Sequence, residues 1–325
     1  MWCVTRRVGI VACVSLVVAS CSTGGTATEP SADVNVGLAV TVAETSVNVD
    51  GGVLQIRVVG PVNAADTLIA IHGGPGLSLE AMAVYETLAG PDRQVVSYDQ
   101  RGVGRSTVPD DLDYSLDAHV ADLEAFRNAL GAENVQLVGQ SWGGAVAAAY
   151  AATYPDRVSA LVLVGAVPLD RAEYLAGQDR FQARVTELQH LDIIDDVIPS
   201  IEHGSCLAAL SAVLPAYLDD PASRTPVTVT SCNAETARAT YETFIADETV
   251  PDYADKLAAF ASPALLLSGE HDVFGPEWIK RYQELLENAP TDTVLITDAG
   301  HLVTTEQTDL TLSAITAFLH DRAGP

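Results

Sequence analysis

Short apolar runs recur along much of the chain, separated by stretches whose apolar positions are spaced for helix. The runs at Thr67–Ile71, Gln94–Tyr98, Val135–Val138, Ala160–Val164, Ala264–Leu267 and Thr293–Ile296 have the length and bounded character of strands. Between them, Ser115–Leu130 reads as a helix ended by Gly131, Ala145–Tyr154 as one ended near Pro155, and Pro276 as the start of a helix reaching about Glu287. Ahead of this alternation, Leu38–Val49 and Val53–Val59 flank Asp50-Gly51-Gly52, which predicts a β-hairpin. Strands alternating with helices predict an α/β fold with a mostly parallel, doubly wound sheet covered on both faces.

The alternation stops across 167–255, a stretch with sixteen Asp or Glu, five Arg and no strand-type repeat. It reads as an inserted helical cap over the C-terminal edge of the sheet, leaving 37–166 and 256–325 as the core domain. The whole chain has 17 basic and 43 acidic residues, a formal charge of −26, and 48% hydrophobic residues. That balance argues against nucleic acid or an anionic membrane surface as a partner. It leaves ample material for a core.

The first residues change where the protein is expected to work. Arg6 and Arg7 precede the apolar run Val8–Ala19, which has the size of a signal-peptide core and is too short for a comfortable membrane span. The run closes in Val18-Ala19-Ser20-Cys21, the arrangement of a lipoprotein cleavage site, where Cys21 would be diacylated and become the new N-terminus; an ordinary secretory signal or anchor is the alternative. Residues 1–20 are thus expected to be a signal peptide and 21–36, small and polar, a flexible tether. The mature chain would be exported and held on the outer face of the cytoplasmic membrane through its lipid. Export would leave Cys206 and Cys232 as an even pair in an oxidising compartment, expected to form a disulfide rather than two buried thiols. Neither the cysteines nor the histidines show metal-ligand spacing.

Gly139-Gln140-Ser141-Trp142-Gly143 follows one apolar run and precedes an Ala-rich helix. A serine on a tight strand-to-helix turn needs small flanking residues, and the helix N-terminus behind it contributes a favourable dipole. His72-Gly73-Gly74-Pro75-Gly76 follows the run at Thr67–Ile71, where glycines let backbone N–H groups approach a substrate oxygen. We assign the oxyanion donors to Gly74 and Trp142, and read His72 as a structural histidine bonded to its loop. Asp272 and His301 each follow a late strand, and the order serine, acid, histidine completes a nucleophile, a carboxylate that orients the base, and the base itself. Glu270 and His271 are the competing acid and base, and Asp298 is a further acid close to His301 in sequence.

Together with Asp99-Gln100-Arg101-Gly102-Val103-Gly104-Arg105-Ser106 and Gly144 after the serine turn, these motifs resemble the proline iminopeptidase family of α/β-hydrolases over roughly residues 45–320. The resemblance implies a capped, cofactor-free enzyme that releases N-terminal residues, often proline, from peptides, with Asp99 and Arg101 tying loops beneath the site. Two departures stand out. Gln140 occupies a position where family members commonly have glycine, and the tryptophan-rich cap stretch that neighbours the family's amine-binding carboxylates is absent. Its nearest counterpart is Ala239-Thr240-Tyr241-Glu242, which makes Glu242 the candidate for holding a substrate ammonium. An esterase or amidase acting on a small ester or amide is the alternative enzyme, because a changed cap redirects the same catalytic groups. A non-catalytic surface lipoprotein is the alternative outside enzymes.

Overall fold

The computed structural model describes residues 41–61, 64–107, 113–195, 205–223, 229–248, 250–275 and 277–321. The expected signal peptide, Cys21 and the tether all lie outside these residues. Strands β1 (Val42–Val49) and β2 (Gly52–Val59) form the expected hairpin, with Val49 opposite Gly52 across a two-residue turn. Then follow β3 (Asp66–Ile71), β4 (Arg93–Tyr98), β5 (Val135–Gln140), β6 (Val158–Val164), β7 (Ala264–Gly269) and β8 (Thr291–Ile296). They form one eight-stranded sheet in the order β1-β2-β4-β3-β5-β6-β7-β8, antiparallel at the hairpin and at β2–β4, and parallel from β4 to β8.

The central strands are apolar on both sides because both sides are covered. Ile69, Ile71, Leu137, Leu161 and Leu266 belong to one core cluster. Their neighbours Leu68, Ala70, Val138, Val162 and Leu265 belong to the other, which is the period-two alternation of a strand read in a fully buried sheet. The first cluster is closed by helices α1 (Leu116–Ala129) and α2 (Trp142–Thr153), and the second by a 3-10 segment (Leu79–Leu88) and the last helix. Helix α1 starts where Ser115 accepts the Ala118 N–H at 3.2 Å and gives way to Gly131 at φ 68°. Helix α2 begins at Trp142, three residues before the expected Ala145. The glycines that read as turn residues are its first turn, with Ser141 at the N-cap.

Between β6 and β7 the described residues form α3 (Arg171–His190), α4 (Cys206–Val213), a 3-10 turn (Leu214–Tyr217), α5 (Ala234–Ala246) and α6 (Val250–Leu257). Each of α3, α4 and α5 is capped by a polar side chain: Asp170, Ser205 and Asn233 accept N–H groups of their first turns. On α6, Val250, Tyr253, Ala254 and Leu257 pack in the same core cluster as α2, as do Tyr174 of α3 and Phe244 of α5. Cys206 and Cys232 are joined, their Cα atoms 5.8 Å apart, which ties α4 to the segment leading into α5. After β7 come α7 (Glu277–Leu285), α8 (Val303–Glu306) and α9 (Thr308–Asp321). Among the described residues no helix is long and apolar enough to cross a membrane.

Candidate active site

Strand β5 delivers Ser141 at its C-terminal end with φ 54° and ψ −119°, a backbone conformation that costs a non-glycine residue of order 1–3 kcal/mol. The flanking glycines are required by proximity. A Cβ on Gly139 would stand 2.3 Å from the Gly143 carbonyl oxygen, and one on Gly143 would stand 2.0 Å from that of Ile71. The turn is further fixed by the Ser141 N–H bonding Val164 O at 2.9 Å, and by its carbonyl accepting the Val167 N–H at 3.0 Å.

The loops beyond β7 and β8 bring Asp272 and His301 to this point. His301 Nε2 lies 3.1 Å from Ser141 Oγ, and Nδ1 lies 3.1 Å from both Asp272 oxygens. Both side chains are buried. The carboxylate also accepts the Ser268 hydroxyl at 3.1 Å and the Phe274 N–H at 3.0 Å, so its orientation toward the imidazole is over-determined. Ser268 escaped the sequence reading; a buried hydroxyl at the end of an otherwise apolar strand is the signal that marks it. The competing residues lie elsewhere. Glu270 and Asp298 are exposed, and the exposed His271 pairs with Asp219 at 2.7 Å.

Gly74 lines the cavity in front of Ser141. Trp142 opens α2, where N–H groups have no intrahelical acceptor. The segments that carry the two assigned donors are tied to each other through Gln100, which the sequence reading named only as part of the Asp99–Ser106 motif. Its amide donates to the His72 carbonyl at 2.8 Å and accepts the Trp142 indole N–H at 3.1 Å, and its backbone N–H reaches His72 Nε2 at 3.2 Å. Because Nε2 accepts, the ring proton of His72 sits on Nδ1, 3.1 Å from the Gly73 oxygen. Burial lowers the His72 pKa to about 4, so the ring stays neutral. Asp99 accepts the Leu79 and Arg105 N–H groups at 2.8 and 2.9 Å, and Arg101 forms a buried two-point bond to Asp122 with both contacts at 2.8 Å.

In front of the serine is a largely apolar cavity of about 440 Å³. The cap contributes Tyr174, Tyr217 and Tyr241 to its wall, and among the described residues its charged lining consists of Glu173 and Arg180, which pair at 3.1 Å. Burial raises all three phenols, Tyr217 to about 12, so they present neutral hydroxyls. Glu242 is not brought to the cavity. It is exposed on α5 and paired with Arg238 at 2.7 Å. Successive helical residues lie about 100° apart, so a helix that turns Tyr241 inward sends Glu242 to solvent.

Residues 66–306 match the family model described as alpha/beta hydrolase fold. The chain belongs to the alpha/beta hydrolase family. Among curated relatives it is 29% identical over 291 residues to a proline iminopeptidase of Lactobacillus helveticus, an alignment covering 82% of this chain and 94% of that one. A proline iminopeptidase of Lactobacillus delbrueckii subsp. lactis is 40% identical over a shorter 112 residues, 33% of this chain and 38% of the relative. Among solved structures, a proline iminopeptidase of Mycobacterium smegmatis aligns with a TM-score of 0.61 at 23% identity, covering 86% of this chain and 99% of that one. An enol-lactonase of Burkholderia xenovorans LB400 aligns at 0.64 with 21% identity, covering 85% and 99%. As an alpha/beta hydrolase with proline iminopeptidase relatives, the protein is a hydrolase.

Proposed function

We propose that this hydrolase is a serine aminopeptidase that releases N-terminal residues from peptides through an acyl-enzyme. The observation that carries the reading is the unbroken chain from Ser141 Oγ through the His301 ring to Asp272, facing a cavity that also holds a carboxylate. His301 takes the serine proton as Oγ attacks the carbonyl of the first residue, and Asp272 stabilises the imidazolium. The N–H groups of Gly74 and Trp142 hold the developing oxyanion. His301 then protonates the departing amine, and a water activated by the same ring attacks the ester to free the acyl group. In this reading Glu173 replaces Glu242 as the acceptor for the substrate ammonium, because it is the acid lining the cavity.

An esterase reading has one observation in its favour: Glu173 is already engaged by Arg180 within a mostly apolar cavity, so a neutral acyl group is also accommodated. Prolyl-, alanyl- and dipeptidyl-amides with free and N-blocked termini, run beside p-nitrophenyl esters, separate the two. Among the amides, the aminopeptidase reading expects turnover only of those with a free terminus, with KM for these raised in a Glu173→Gln variant. Equal turnover of blocked amides would refute it.

Export belongs to the same proposal. The sequence around Cys21 supports a lipid-anchored enzyme beyond the cytoplasmic membrane, and a Cys206–Cys232 bridge is at home in an oxidising compartment. Intact-mass analysis of the native protein should find a diacylated N-terminal Cys21. A soluble chain starting at Met1 would contradict it.

A further inference from the structure

Glu306 ends α8, five residues beyond His301, and does not line the cavity. Both of its carboxylate oxygens are committed to backbone N–H groups of different segments. One accepts from Gly300 at 2.8 Å, in the histidine loop, and the other from Asp219 at 2.7 Å, in the covering segment. The same two segments touch a second time, where the His301 N–H bonds the Tyr217 carbonyl at 2.8 Å. They lie so close that a Cβ on Gly300 would stand 2.5 Å from that carbonyl oxygen. Tyr217 in turn lines the cavity, with its ring 5.6 Å from that of His301. A third contact, between Asp219 and His271, closes the set on the loop that carries Asp272.

We propose that Glu306 is a positioning residue that fastens the His301 loop to the covering segment Tyr217–Asp219, so that the imidazole is held in line with Ser141 while that segment is seated on the loop. The proposal rests on the reading of Ser141 and His301 as the reacting pair. Its physical basis is the double acceptor. A carboxylate receives two N–H groups at once, whereas an amide in the same place offers one oxygen and turns an NH2 against the other N–H. Losing one tie frees the histidine loop on one side. A displacement of the base of order 1 Å suffices to cost about 10- to 100-fold in rate. The effect falls on kcat, because Glu306 touches neither the cavity nor Ser141.

The test compares wild type, Glu306→Gln and Glu306→Asp on p-nitrophenyl acetate, with active sites counted by a fluorophosphonate and folding checked by thermal unfolding. The expected result is a kcat per counted site lower by about 10- to 100-fold in Glu306→Gln, with KM within about threefold of wild type. Glu306→Asp, which keeps both acceptors on a shorter stem, should lie between the two, and it carries the test if the glutamine variant does not fold. Unchanged kcat per counted site in a folded variant would overturn the proposal, as would a raised KM at full kcat. A wild-type chain that takes up no fluorophosphonate would instead refute the Ser141 reading, and this proposal with it.

Discussion

Replacing Gln100 by methionine isolates the contribution of a residue that contacts neither Ser141 nor His301. The side chain is 1% exposed, and methionine fills a similar volume without its polar atoms. Two buried partners lose their bonds: the His72 carbonyl, reached at 2.8 Å, and the Trp142 indole N–H, held at 3.1 Å. Each orphaned group costs about 1–3 kcal/mol, so the variant should lose about 2–6 kcal/mol of stability. The same bonds hold Gly73-Gly74 and the start of α2 in register, and these carry the two proposed oxyanion donors. Losing one such donor outright costs about 10²–10³ in kcat, so loosening both should cost about 10- to 100-fold. Urea unfolding gives the first number. Steady-state hydrolysis of an activated ester, normalised to fluorophosphonate-titrated sites, gives the second. A variant that loses stability yet keeps wild-type kcat per titrated site would show that Gln100 supports the fold alone.

Two further outcomes follow from the same structure. The Cys206–Cys232 bridge closes a loop of 26 residues, and reducing it should cost about 3.5 kcal/mol by chain entropy; an unchanged urea midpoint with both thiols shown to be free would refute this. Burial lowers His72 to about 4 and His119 to about 3, so between those values and about pH 6.5 the unfolded chain binds protons that the folded chain refuses. Stability should therefore fall as pH drops below about 6.5, with each ring contributing about 1.4 kcal/mol per unit well below that point. Unfolding measured from pH 7.5 to 5 in wild type and His119→Leu should show the variant with a clearly shallower dependence. Identical slopes would contradict a neutral His119.

The hairpin, the alternating strands and the loops holding Ser141, Asp272 and His301 were legible because each depends on local pattern: buried runs, turn residues and chain order. The cap was not legible in the same way. The sequence pattern of α5 does not show which of its faces turns inward, so the reading names Glu242 there and nothing in it points to Glu173 on α3. The packing of α6 on α2 is a long-range contact that no local pattern shows. Gln100 acts through residues far away in sequence and Ser268 through a neighbour four residues on, and a single polar side chain in a loop or strand carries no periodic signal. The start of α2 was displaced because Gly143 and Gly144, ordinarily helix-breaking, are placed there by the crowding around Ser141.

Mass-spectrometric mapping of a fluorophosphonate adduct tests the central claim most directly. The account predicts one modified serine, Ser141, with a labelling rate lower by about 10³-fold or more in a folded His301→Ala variant. An adduct on another residue, or full-rate labelling without the His301 ring, would contradict it.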